Sequence, residues 1–187
     1  MVTTSVAQAV VMTTMTTEPE QQSTERTDLL ETLTTHRSFL RHTVRDLSDG
    51  QASLRTTASA LCLGGLIKHV TLMEEGWTDF IERGPEAKGP ADHAAMESHA
   101  AGFRMVGGES LASLLDAYEK VACRTDALVS TLPSLDASHP LPEAPWFESG
   151  ARWSARRVIL HVIAETAQHA GHADIIRESL DGAKTMG

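Results

Sequence analysis

The run from Trp153 to Arg177, WSARRVILHVIAETAQHAGHADIIR, constrains this chain more than any other stretch. Read as an α-helix, it aligns His161, Glu165, His169 and His172 on a stripe roughly 80° wide. Val158, Ile159, Val162, Ile163, Ile175 and Ile176 give the same helix an apolar surface that must be buried. Three imidazoles and a carboxylate on a half-buried helix are poor core material but good ligands for a divalent metal. Glu165 and His169, one turn apart, present an oxygen and a nitrogen about 5–6 Å apart at Cβ, a spacing at which two side chains chelate one ion.

Such a helix needs partners, and three further apolar patterns of period 3.6 supply them. The first spans about Glu25 to Leu47, with Ser23 or Thr24 as cap, Leu29, Leu33, Leu40 and Val44 on one face, and Asp49-Gly50 as its end. The second spans about Ala58 to Arg83 and stops at Gly84-Pro85. Gly64 and Gly65 within it each lose roughly 1 kcal/mol of helix propensity against alanine, tolerable where a close helix approach or a ligand needs space. The third spans about Ser110 to Leu132, and the Trp153 stretch extends the fourth from about Ser154 to Gly182. Residues 84–108 read as a Gly- and Pro-rich crossover with a short helix from about Ala91 to Ala101 carrying His93 and His99. Pro133, Pro140, Pro142 and Pro145 make the other connection extended, and Trp146 and Phe147 are placed to pin it over the bundle. No strand alternation and no internal repeat compete. The expected fold is an all-α four-helix bundle with long crossover connections, one domain over residues 25–187. Residues 1–24, rich in threonine and poor in large apolar side chains, read as a flexible tail.

A net charge of −9 and a pI near 5.4 exclude a nucleic-acid binder, which clusters basic residues. No window approaches the ~18–20 apolar residues that cross a bilayer, so no membrane partner is expected. No charged start and apolar run make a secretory signal. Cys62 and Cys123, without a Cys-x-x-Cys pair, fit reduced thiols packed as small apolar residues in a cytoplasmic protein. The apolar helices are compatible with a homodimer.

Single residues carry alternatives. His36 and His42 read as helix-edge histidines and His139 as a surface loop residue. His69, in the apolar face of the second helix, reads first as a core histidine, with metal binding as the sharper alternative. His161 either orients Glu165 or is a buried polar residue. His172 reads as a fourth ligand, as a catalytic proton-transfer group behind the ligands, or as a histidine bonded to a neighbouring helix. Arg156 and Arg157 either hold an anionic co-substrate or pair with acids on a solvated face.

The ending His161-Val-Ile-Ala-Glu165-Thr-Ala-Gln-His169-Ala-Gly-His172-Ala-Asp resembles the last helix of DinB-like proteins, and Leu63-Gly-Gly-Leu-Ile-Lys-His69-Val resembles their second. With Trp153-Ser before the last helix, the likeness covers residues 25–182 and leaves out the tail. It implies a four-helix bundle holding one divalent metal, zinc or nickel, by His69, Glu165 and His169. Many relatives have histidine where this chain has Glu165; the glutamate matches the mycothiol-dependent branch. Two imidazoles and a carboxylate leave a coordination position open, as in a catalytic site. The resemblance therefore implies a transferase that activates a low-molecular-weight thiol, mycothiol or bacillithiol, as a metal-bound thiolate for addition to a small-molecule electrophile. Hydrolysis by metal-bound water, or metal binding without turnover in a stress protein, are the alternatives.

Overall fold

A computed structural model describes residues 18–88, 97 and 100–185. Helix α1 runs over Glu18–His42, the short α2 over Asp49–Ala52, α3 over Leu63–Arg83, α4 over Leu111–Thr131 and α5 over Ala155–Asp181. A 3-10 turn, Gly84–Lys88, follows α3. Strands β1 (Ser138–Pro140) and β2 (Arg152–Ser154) pair antiparallel, with His139 opposite Trp153. The long helices α1, α3, α4 and α5 form the bundle: α1 packs on α5 and α4, and α3 packs on both α4 and α5.

Local chemistry sets the helix ends. The Ser154 side chain caps α5 by accepting from the Arg157 amide at 3.2 Å. Gly182, at φ +78°, closes the same helix in the left-handed conformation that glycine adopts without steric penalty. The carbonyls around the end of α1 are satisfied from α5: Arg177 Nη1 donates to Thr43 O and Arg45 O, each at 2.8 Å. Arg26 of α1 does the same for α4, donating to Val129 O and, at 2.6 Å, to Leu132 O. The chain after α1 and the end of α4 are thus tied across the bundle, by Arg177 and Arg26, in addition to these local caps.

Two apolar blocks occupy the two ends of the bundle. One gathers Leu40, Val44, Leu63, Leu66, Ile67, Val70, Tyr118, Ala173 and Ile176; the other gathers Leu29, Leu33, Trp77, Phe80, Val129, Val158, Ile159 and Val162. Between them lies a buried polar layer of Arg37, Glu74, Thr78, Thr125 and Thr166. Arg37 Nε and Nη2 bind both oxygens of Glu74, which is 0% exposed, and Nη1 reaches Asp126 at 2.8 Å. Burial by itself lowers the guanidinium's pKa, yet the Glu74 and Asp126 carboxylates raise it above the ordinary arginine value.

Several expectations need amendment. Helix α1 starts earlier than Glu25 and ends at His42, before the expected Leu47; Asp49-Gly50 opens α2 instead of ending α1. Ser48 makes that possible by capping α2 with a reciprocal Gln51 contact. Helix α3 starts at Leu63, not Ala58. The proline-rich connection is extended, as expected, and also contributes the small β-ribbon. Of the expected 91–101 helix, positions 97, 100 and 101 are described and helical, and the helix continues through 102. His93, His99 and residues 1–17 of the expected tail lie outside the described residues.

Candidate metal centre

His69 lies in the first half of α3, while Glu165 and His169 lie one turn apart on α5. One donor atom from each comes within 4.8 Å of the others. His169 Nε2 is 3.5 Å from Glu165 Oε2, and the His69 and His169 rings meet edge to face at 4.7 Å. The two imidazoles are buried, 6% and 8% exposed, whereas the Glu165 side chain keeps 30% of its surface. The group therefore opens toward solvent on its carboxylate side. Two imidazole nitrogens and one carboxylate oxygen form a set that suits zinc or nickel, and the donors are close enough to share one ion.

Gly64 and Gly65 explain how His69 is held. A Cβ at Gly65 would collide with the Phe103 backbone, and one at Gly64 with the Met105 thioether. The chain after the 84–102 connection thus crosses α3 where α3 has no side chains. The close approach is made by this segment, not by a neighbouring helix. Lys68 fixes the crossing, reaching Glu109 at 2.6 Å and the Arg104 carbonyl at 3.4 Å. The crossing lays the Phe103 ring on the His69 ring, centroids 3.8 Å apart and 20° from parallel. Phe103 escaped sequence reading because nothing in a glycine-rich connection marks a ring for a site; the Gly64-Gly65 pair was the available signal.

The remaining residues of the stripe flank the group. His172 Nδ1 lies 3.5 Å from His169 Nδ1, on the side of the ring away from Glu165. His161 Nε2 lies 3.9 Å from Glu165 Oε1. The two arginines before them differ in surroundings. Arg156 binds Glu25 and Asp136, which raise its pKa and tie α5 to α1 and to the connection. Arg157 is exposed, its guanidinium 5.1 Å above the Trp153 ring.

Of the other histidines, the described His36, His42 and His139 stand apart from the group. His36 is half-buried against the Phe39 edge, and His42 is exposed at the end of α1. His139 is not a surface loop residue: it is half-buried, its Nε2 3.2 Å from the Ile81 carbonyl and its ring against Phe80. The β1–β2 pairing carries it back onto α3. Cys62 is buried as expected, but Cys123 is exposed beside Glu119, so it does not pack as a small apolar residue.

An all-helical bundle with a His-Glu-His group at its polar middle is the DinB-like class of protein. Residues 28–182 match the mycothiol-S-transferase family, and the chain belongs to that family. The fold is similar to the crystal structure of a conserved protein from Enterococcus faecalis, with a TM-score of 0.63 at 12% identity over 84% of this chain and 97% of that one. Comparison with curated protein sequences gave no match. No helix among the described residues is long and apolar enough to cross a membrane.

Proposed function

We propose that this protein is a metal-dependent transferase joining a small cellular thiol, mycothiol or bacillithiol, to an electrophilic small molecule. The observation that carries the reading is the convergence of His69, Glu165 and His169 within 4.8 Å, in a member of the mycothiol-S-transferase family. These three residues would hold the ion. A divalent ion, if held there, would supply the charge that lowers an incoming thiol's pKa toward neutrality.

The chain itself contributes position and access. His69 and His169 are sunk between helices, so reactants approach from the Glu165 side. His172, against the Nδ1 edge of His169, holds that ring from the side away from Glu165, and the proton that the thiol releases passes to solvent on the open Glu165 side. Arg157, not the twice-paired Arg156, is placed to meet an anionic group on the thiol or the electrophile. The reaction forms one sulfur–carbon bond, and the electrophile's leaving group departs with its electron pair.

The test is a panel of thiols with monochlorobimane and zinc-loaded protein. Conjugation faster than the uncatalysed rate, selective for one thiol and lost in Glu165→Ala, is the expected result. Uncatalysed rates with every thiol would reject the reading for that electrophile.

A further inference from the structure

The two oxygens of Glu165 face different histidines. Oε2 lies 3.5 Å from His169 Nε2, and Oε1 lies 3.9 Å from His161 Nε2. His169 belongs to the metal group, whereas His161, one turn earlier on α5, does not. A glutamate this exposed has three rotatable bonds, and the groups facing its two oxygens are His161 and His169, one turn before and one turn after it on α5.

His161 is itself held firmly. Its ring meets Trp77 at 5.0 Å and 78°, and Trp153 at 5.2 Å and 67°. Those two indoles stack on each other at 4.9 Å and 15°. Trp77 comes from α3, two turns beyond His69, and Trp153 from β2. Both pack against the apolar block that contains Phe80 and Val158. Phe147 adds a further edge to Trp153 at 5.8 Å. An imidazole set edge to face against a stacked indole pair from two elements has little freedom to turn, and its Nε2 lies 3.9 Å from the carboxylate.

We infer that His161 is a positioning residue: locked against the stacked Trp77–Trp153 pair, it fixes the rotamer of Glu165 so that Oε2 is presented beside His69 and His169. This rests on Glu165 being a metal ligand, as proposed above. A histidine that only filled space beside the indoles could be replaced by another ring without consequence at the metal group. A histidine that works through its ε nitrogen could not.

The experiment is zinc titration of metal-stripped protein, in competition with a chromophoric chelator, for wild type, Glu165→Ala, His161→Phe, His161→Asn and His161→Gln. Phenylalanine keeps a ring against the stacked indoles and removes the nitrogen; glutamine returns an amide nitrogen near the ε position. H161F is expected to weaken zinc binding about 10–100-fold, while H161Q stays within about threefold of wild type. H161N, which cannot reach the ε position, is expected to resemble H161F and serves if the phenylalanine variant fails to fold. A second readout uses the tryptophans, of which the chain has three. With Trp146→Phe as background, emission comes from the Trp77–Trp153 pair, and zinc should change it only while His161 is present. If E165A loses zinc but H161F and H161N bind like wild type, His161 does not position the ligand, although the metal reading stands. If E165A binds zinc like wild type, both fall together.

Discussion

His69 and His169 meet edge to face, ring centroids 4.7 Å apart and planes at 78°, although a hundred residues separate them. Neither helix alone offers more than a pair of donors; the third arrives only when α3 packs on α5. His69→Ala should therefore weaken zinc binding by more than about 100-fold, exceeding the loss typical for an outer partner, and should abolish thiol conjugation in parallel. Competition titration of stripped protein measures the first effect and the thiol assay the second. Near-wild-type affinity in H69A would remove His69 from the ligand set.

The buried Arg37–Glu74 pair permits a prediction about stability alone. Glu74→Ala leaves a guanidinium 5% exposed with only Asp126 beside it. Stranding a buried charge costs about 3–5 kcal/mol, which in a domain of this size lowers Tm by roughly 10 °C. Asp126→Asn should cost far less, because that carboxylate is 40% exposed. Thermal unfolding of both variants decides it, and equal losses would contradict the ordering.

Much of this was legible beforehand. The four helices follow from apolar periodicity, and the α5 stripe from the spacing of His161, Glu165, His169 and His172. His69 was not separable from a core histidine by spacing, because burial and ligation both place imidazole on an apolar face. Family likeness supplied what periodicity lacked. Phe103, the Trp77–Trp153 bracket and the His139 contact remained hidden, since each depends on where an irregular connection lands. The Asp49-Gly50 reading missed for a local reason: with Ser48 ahead and Gln51 behind, the same residues that end one helix start another.

Two glycines should answer oppositely to alanine. Gly171→Ala, on an open face of α5 with nothing within 4 Å of the new Cβ, should stabilise by up to ~1 kcal/mol. Gly65→Ala gains the same propensity but drives a methyl into the Phe103 backbone, so it should destabilise by about 1–3 kcal/mol and weaken zinc binding as Phe103 leaves His69. Denaturant midpoints and zinc titration test the pair; stabilisation in both would show that the crossing yields easily.

Glu25 predicts a pH effect. Its hydrogen bonds to Arg156 hold its carboxyl below the ordinary value of 4.5. A carboxyl lowered on folding contributes stability above its unfolded pKa and loses it as pH falls through the folded one. Both partners are about a third exposed, so the contribution is at most ~1 kcal/mol. Glu25→Gln should thus lower Tm slightly at pH 7, and the gap from wild type should shrink as the pH falls below 4.5. A gap that widens in acid would reverse the assignment.

The open side of the group, at Glu165, also decides what kind of reporter this protein makes. Its donors are brought together by the seating of α3 on α5 and by the strap through Phe103, not by helix formation. An expanded state at neutral pH that kept every helix but loosened their registry would look nearly native by far-ultraviolet dichroism and yet lose the donor group that is proposed to hold the ion. Zinc retention is consequently a gauge of finished assembly, sensitive where helix content is blind.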